Sequence, residues 1–576
     1  MLVLKNKIAP EDKWVECTNE TCGYSDIRKN FKAADPNVQC PKCGTTIELE
    51  NDASQEVYSY FVDVVIQDVA KEMAKKDGIE KWDDDIWQSY LDRINRGGYH
   101  IYATLDAKVQ NQIDKIYKNL KNIPKTRSAQ QLQSAIVVVD NSTGDIVGMA
   151  GGVGEQKAHF GQNRATKSKL QSGSSIKPLA VYAPGFQKGV ISPATVIRDM
   201  PSQYKGGSPW PKNAERRYSY SRTILGGIED SVNAVAANTL TKIGISYGYD
   251  FAKNSFNLTT LRAEDEQIAA LALGAQYYGV TVRDMTAAFA TFANKGVYRE
   301  ARTWTKVYDS RGNMVLSNDQ DSKEILNYCL TNAVTSGTGA GANFASGYVA
   351  GKTGTTSSSR DRWFCGYTSR YTAAVWCGYD LPEKINLSSN PAVTLWRKVM
   401  QPIHSGLSKT KLYSTSKMSR VTVCLDSGKL ATDACTNDVR GNRTQSVYVY
   451  AQDRPSKACD KHVSVSYCVG NGVANQYCSA VAAKNSKVTV ANKGLLKLTQ
   501  SEINELNKLK RFGLNEMFLR DDYVYLITSD GKDGKFKGFT GTINAGISAP
   551  YKVCTVHNES SVNQGETPEI GDTVTN

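Results

Sequence analysis

No uninterrupted apolar run of about 18 residues occurs in the chain, so nothing in it reads as a membrane-spanning helix. Its opening, MLVLKNKIAPEDKW, has too short an apolar stretch for a secretory leader. Histidine is scarce. The five, His100, His159, His404, His462 and His557, form no triad or metal pattern, which sets aside a Ser-His-Asp hydrolase. His462 stands three residues after Cys459 in CDKH and could pair with a metal, but it is read here as not doing so. No dense basic run with interleaved aromatic residues appears, so nucleic acid is not an expected partner.

What is present points to a multidomain globular chain. At 576 residues, 40% hydrophobic and 22% charged, it exceeds a single core. Lys and Arg number 70 against 57 Asp and Glu, a net charge of +13 that favours an anionic partner. The 13 cysteines are grouped. Cys17, Cys22, Cys40 and Cys43 lie in CTNETC and CPKCG, the second pair at zinc-ribbon spacing with Gly44 at the turn. Structural zinc is one reading of this cluster; paired disulfides or free thiols are the other. Cys424, Cys435, Cys459, Cys468, Cys478 and Cys554 are scattered near the C-terminus. Cys424 and Cys435 bracket a short turn suited to a disulfide, which would place the protein in an oxidising, exported setting.

Periodicity orders the rest. Phe61, Val65 and Val69 repeat at helical spacing, with Asp63, Gln67, Asp68 and Lys71 on the opposite face, a surface helix. YHIYATLD alternates like a strand, and Asp106 is placed to cap the helix AKVQNQIDKIYKNL. QSAIVVVDNSTGDIVGMAGG reads as a hairpin turning at Asn141-Ser142-Thr143-Gly144. Ala-rich helical patterns follow, then the β-like runs GYVAGKTGT, RWFCGYTS and YTAAVWCGYD. Strands at both ends with helices between them predict an α+β domain with a mainly antiparallel sheet flanked by helices. Cys365 and Cys377, on neighbouring strands about equally far from the turn, are expected to face each other. Trp363 is expected in the core. LTQSEINELNKLKRFGL is a short amphipathic helix.

The expected organisation is a cysteine-rich segment at 1–56, a linker of helix and strand at 57–129, the α+β domain at 130–405, a cysteine-containing region at 406–557 and a disordered tail at 558–576.

Three small motifs fall in order within the α+β region: Ser174-Ser175-Ile176-Lys177, Ser231-Val232-Asn233 and Lys352-Thr353-Gly354-Thr355. Chance supplies such motifs cheaply, since Ser414 to Lys417 also reads SxxK and Ser388 to Asn390 reads SxN. Those copies have no Lys-Thr-Gly after them. A serine hydroxyl needs a base to become a nucleophile, and a lysine one turn later can supply it if its amine is neutral. Burial or the charge of Lys352 would lower its pKa. Ser231 could relay a proton between the lysines and Asn233 could bind a substrate amide, although a serine there more commonly caps a helix. Gly351 and Gly354 on a strand suit close approach of a peptide, with Lys352, Thr353 and Thr355 near its carboxylate. The N–H groups of Ser174 and Thr355 are the natural oxyanion donors.

This ordered set resembles the penicillin-recognising serine acyltransferases. The blocks GGYHIYATLDAKVQNQID, QSGSSIKPLAVYAPG, LALGAQYYGVTVRDMTAAFATFANKGVY, TSGTGA and GKTGTTSSSRDRWFCGYT narrow the resemblance to the transpeptidase part of class A, bifunctional penicillin-binding proteins, over about residues 97–405. The stretch from CLDSGKLATDAC to CDKH resembles the tail of Gram-positive members. No EDxxFxxHxG block is found, so the chain is expected to lack most or all of a glycosyltransferase domain.

The resemblance implies Ser174 as the acylated nucleophile, Lys177 as its base, and Ser231 and Asn233 as relay and substrate-binding residues. It implies Lys352, Thr353, Gly354 and Thr355 as the docking strand. It further implies peptidoglycan stem peptides ending in D-Ala-D-Ala as substrate, β-lactams as covalent ligands, no catalytic cofactor, cell-wall synthesis proteins as partners and a place on the outer face of the cytoplasmic membrane. A D,D-carboxypeptidase or β-lactamase-like hydrolase is the nearest alternative. A non-catalytic cell-wall-binding or β-lactam-sensing module is the alternative of another class.

Overall fold

A computed structural model describes residues 57–318, 338–344, 348–412, 416–438, 440–468 and 490–510, with short isolated pieces elsewhere. Cys22, Cys40 and the 558–576 tail lie outside the described residues, so the zinc expectation for Cys17, Cys22, Cys40 and Cys43 is not addressed by it.

The chain enters the described region through α1 (Tyr60–Lys76), whose first turn is capped by the Ser59 hydroxyl. It then forms α2 (Asp84–Arg96), β1 (His100–Ala103) and α3 (Ala107–Tyr117). Asp106 caps α3, its carboxylate accepting from the N–H groups of Lys108 and Val109 at 2.8 and 3.2 Å. The sequence expectation for α1 needs one correction, because its polar face is not simply a solvent face. Asp63 is buried and accepts from the Phe160 amide at 2.8 Å and the Gln156 side chain at 2.7 Å. Asp68 pairs with Arg283 at 2.9 Å. A loop and a helix of the α+β domain cover that face, and period alone does not report what covers it.

The hairpin read at Asn141 to Gly144 joins β2 (Gln133–Asp140) to β3 (Ile146–Ala150), with Gly144 at φ +76°. The helical part of the domain follows, including α4 (Asn233–Ile243) and α5 (Val282–Ala293). The chain then returns to the sheet as β4 (Ala350–Thr355), β5 (Arg362–Tyr367) and β6 (Tyr371–Gly378), and leaves through α6 (Pro391–Ile403). The five strands lie in the order β4-β5-β6-β2-β3, every neighbour antiparallel. Strands distant in sequence therefore meet at the β6–β2 seam, and β4 forms an edge.

Both faces of this sheet are covered, which explains why β2 and β6 read as almost continuous apolar runs. Ala135, Val137 and Val139 join one core with α5, while Ile136 and Val138 join the other with α3 and α6. The same alternation separates the two strand cysteines. Cys365 pairs with Ala374 and belongs to the α5 side; Cys377 pairs with Arg362 and belongs to the α6 side. They are buried thiols, but they point to opposite faces and do not meet. Counting outward from the turn put them level, whereas the register sets them three residues out of step.

Past α6, β7 (Met418–Cys424) and β8 (Thr444–Tyr450) form a two-stranded ribbon. β9 (His462–Cys468) pairs with β10 (Val490–Thr499), which runs into the helix Gln500–Lys510 read from the sequence.

Trp396 of α6 packs edge-on against Phe364 and donates its indole N–H to the Ala373 carbonyl at 3.0 Å. Trp396→Ala is expected to destabilise the domain by about 3–5 kcal/mol, measured as a lower urea midpoint with an unchanged slope.

Candidate active site and a second cluster

The turn that carries Ser174 is not the α-helix start that the sequence suggested. Gly173–Ile176 is a tight 3-10 turn, and Pro178–Tyr182 is a wide π turn before helix resumes at Ala183. Pro178 has no N–H to give, so the interruption of the regular ladder falls where one donor is already missing. Gly173 sits at φ +54° because the turn is pressed on both sides by backbone. A Cβ there would lie 2.6 Å from the Thr355 carbonyl carbon, and one on Gly274 would lie 2.0 Å from the Gly173 oxygen. Only glycine permits both approaches.

A pair of reciprocal hydrogen bonds locks the turn from behind. The Ser172 amide donates to Gln276 Oε1 at 3.1 Å, and Gln276 Nε2 donates to Ser172 Oγ at 2.7 Å, both residues buried. Trp363 is a core residue as expected, and its indole N–H also holds the Gln171 carbonyl at 2.9 Å. Gln276 was invisible as a site residue. Its segment LALGAQ stood out only as part of a block, with nothing to say that its amide reaches a serine 104 residues away.

In front of this support the three motifs converge. Lys177 has no exposed surface, and its Nζ donates to the Ser231 carbonyl at 2.8 Å and to Asn233 Oδ1 at 2.7 Å. Lys352, equally buried, donates to Ser231 Oγ at 2.7 Å and to the Thr353 carbonyl at 3.2 Å. Ser231 thus receives both amines, one through its carbonyl and one through its hydroxyl. It does so at φ +58°, a left-handed conformation costly for a residue with a side chain. Ser231 does not cap α4; that position is Val232, and Asn213 Oδ1 accepts the Ala234 amide from outside the helix. Asn233 is held at its other end by the Lys212 carbonyl, 2.8 Å from Nδ2. The Thr353 hydroxyl meets that of Thr338 at 2.9 Å. Ser174 and Thr355 are half-buried, and Gly354 is buried with its Cα facing the Ser172 oxygen.

Burial dominates the electrostatics. It pushes Lys177 well below the usual lysine range, and the neighbouring Lys352 charge pushes it further. Burial likewise lowers Lys352 to about 7. Lys352 is therefore near its midpoint at neutral pH while Lys177 is driven toward its neutral form, so the pair can hold and pass a proton.

A second constellation lies in the C-terminal module and bears on two expectations. Cys424, Cys435 and Cys459 are thiols, with no disulfide between the first two. Their sulfurs stand 3.4, 3.5 and 3.3 Å from His462 Nδ1, and all four ligand atoms lie within 4.8 Å of one another, a set that could hold a metal ion. The short turn that suggested a disulfide instead folds Cys435 toward a third cysteine and a histidine. CDKH held the signal, a CxxH spacing, and His462, read from the sequence as not pairing with a metal, stands among four residues that could hold one.

The comparisons with known proteins agree with the site. Residues 134–400 match the penicillin binding protein transpeptidase domain, and residues 415–464 match the C-terminal domain of penicillin-binding protein 1A. Penicillin-binding protein 1A of Clostridium perfringens is 31% identical over 403 residues, covering 65% of this chain and 48% of that protein. Its namesake in Clostridium acetobutylicum is 33% identical over 373 residues, covering 61% and 45%. The chain therefore spans about half the length of the curated relatives it matches. The crystal structure of penicillin-binding protein 1A from Haemophilus influenzae shares the fold, with a TM-score of 0.54 at 19% identity over 72% of this chain and 79% of that one.

Because Gln276 braces the turn, Gln276→Ala should slow β-lactam acylation at Ser174, the nucleophile expected from the sequence, by about tenfold or more through misplacement of the hydroxyl, with a smaller effect on ligand affinity, read from stopped-flow kinetics. The buried lysines also set a pH dependence. Lys352 is more easily deprotonated folded than unfolded, so its contribution to stability should rise with pH from about 7 toward the usual lysine range. Denaturation midpoints of wild type should gain on those of Lys352→Met across that window, and parallel curves would contradict the shift.

With the fold, the three convergent motifs and the matched segments in agreement, residues 134–400 of the chain form a penicillin-binding protein transpeptidase domain, followed at 415–464 by a segment that matches the C-terminal domain of penicillin-binding protein 1A.

Proposed function

We propose that the domain is a serine D,D-transpeptidase that cross-links peptidoglycan stem peptides ending in D-Ala-D-Ala and is acylated by β-lactams at the same serine. The observation that carries this reading is the junction at Ser231, where two fully buried amines meet one residue beside the turn of Ser174.

In the proposed cycle neutral Lys177 takes the proton of Ser174 Oγ as the oxygen attacks the carbonyl of the penultimate D-Ala. The oxyanion is received by the N–H groups of Ser174 and Thr355. The carbon–nitrogen bond breaks, and the leaving amine of the terminal D-Ala takes a proton that Ser231 relays from the lysine pair. An ester on Ser174 remains. An amine from a neighbouring stem then attacks it, returns a proton to Ser174 and leaves as the cross-link. Asn233 orients the stem amide, and β4, an edge strand, offers Thr353, Gly354 and Thr355 to the extended peptide. Lys352 and the threonine hydroxyls favour its carboxylate end.

Synthesis at the outer face of the cytoplasmic membrane, alongside other cell-wall proteins, fits this substrate and the +13 charge beside anionic polymers. Among the described residues no helix is long and apolar enough to cross a membrane.

Fluorescent penicillin should label the wild type and not Ser174→Ala; equal labelling would exclude the acyl-enzyme. Lys177→Ala should acylate roughly 100-fold to 10,000-fold more slowly while its unfolding midpoint stays within reach of the wild type. Incubation with a stem pentapeptide and an amine acceptor separates transfer from hydrolysis: mass spectrometry should find the amide product, and only the tetrapeptide acid would make the enzyme a carboxypeptidase.

A further inference from the structure

We infer that Cys424, Cys435, Cys459 and His462 bind one Zn2+ ion, and that this centre fastens the C-terminal module to the strand that leads to Ser231. The argument begins with hydrogen-bond capacity. His462 Nε2 lies 2.9 Å from Asp438 Oδ2, 3.4 Å from Asp426 Oδ2 and 3.1 Å from Arg440 Nη2; the short carboxylate contact places the ring proton there and leaves Nδ1 with one lone pair. Three sulfurs surround that nitrogen at 3.3–3.5 Å. One lone pair can accept one S–H, so hydrogen bonding does not account for three buried sulfurs at equal range. A tetrahedral metal does. With Zn–S near 2.3 Å and Zn–N near 2.0–2.1 Å, the sulfur-to-nitrogen edge of the tetrahedron is about 3.5 Å.

The surroundings fit thiolate ligands. The Asp426 amide points at Cys424 Sγ from 3.3 Å and the Thr432 amide at Cys435 Sγ from 3.4 Å, N–H groups that favour the charged sulfur. Three thiolates and a neutral imidazole on Zn2+ leave one negative charge. Asp426 and Asp438 are matched by Arg440 and Arg443, which bond them at 2.8–2.9 Å, so the shell beyond the ligands is itself neutral. Soft sulfur donors in a closed set select zinc over magnesium or calcium, and the absence of an open position marks a structural centre.

The same shell reaches the catalytic domain. Asp426 accepts from the hydroxyl of Ser221, on the strand Tyr220–Thr223, at 2.9 Å. Two residues on, Thr223 Oγ1 bonds Gln445 of β8 at 2.5 Å and caps the helix Ile224–Glu229, which ends one residue before Asp230 and Ser231. One carboxylate therefore touches the ring of a metal ligand, two arginines and the segment that delivers the second motif.

The test uses the full chain with Cys17→Ser, Cys22→Ser, Cys40→Ser and Cys43→Ser, which removes the other cysteine cluster. Elemental analysis of protein purified without chelator should find about one zinc per chain, lost on adding Cys459→Ser. Cobalt(II) added to the stripped, reduced protein should give the near-ultraviolet thiolate band and the visible bands of a tetrahedral centre. Stripping should lower the melting temperature by roughly 5–10 °C, and zinc, not magnesium, should restore it. A chain that carries no metal and gives no thiolate band with cobalt, or a Cys424–Cys435 disulfide found by mass mapping, would overturn the proposal. The readouts do not depend on acylation, so they stand or fall apart from the transpeptidase reading.

Discussion

Two lysine amines held wholly out of water are the constraint around which the rest of the domain is arranged. An isolated buried ammonium costs several kcal/mol, and the fold lowers that cost in two ways. It lets the amines shed their protons, and it gives each amine oxygen acceptors in fixed places. Lys177 has the Ser231 carbonyl and Asn233; Lys352 has the Ser231 hydroxyl and the Thr353 carbonyl. Both acceptors of Lys177 lie at the start of α4, and Lys352 takes one there and one on its own strand, so the start of α4 must be in place before either lysine is satisfied. Ser231 meets this demand in a left-handed conformation, at φ +58°, with its carbonyl turned to one amine and its hydroxyl to the other.

Support for these groups comes from ordinary packing. The sheet is buried on both faces, with α5 on one and α3 and α6 on the other, and its edge strand β4 is pinned against the turn of Ser174 through glycine contacts. Charge chemistry at the rim thus rests on an apolar slab with little freedom to shift.

What the sequence revealed divides along physical lines. Local signals were readable: the hairpin at Gly144, the cap at Asp106, the three β runs and the motif order. Their meeting in one place required no more than an antiparallel sheet closed by distant strands. Three features escaped for reasons of geometry. Cys365 and Cys377 differ by a register that depends on the exact turn between strands. Asp63 lies on a polar face covered by residues about a hundred positions away. The Cys424 to His462 set was misread because a pair of cysteines around a turn looks alike whether it closes on itself or opens toward further ligands. Gln276 carried no chemical signature, since a glutamine that braces a turn reads like any other.

The mutual contact of Gly173, Gly274 and Thr355 has a mechanical consequence. Main chain lies directly on main chain at these points, with no side chains between them to compress or swing aside. The turn of Ser174, the proposed nucleophile, and the edge strand β4, proposed to receive the peptide, therefore move as one piece. A bulky guest that pries the edge outward carries the Ser174 hydroxyl with it, and the spacing between that hydroxyl and β4 survives the disturbance.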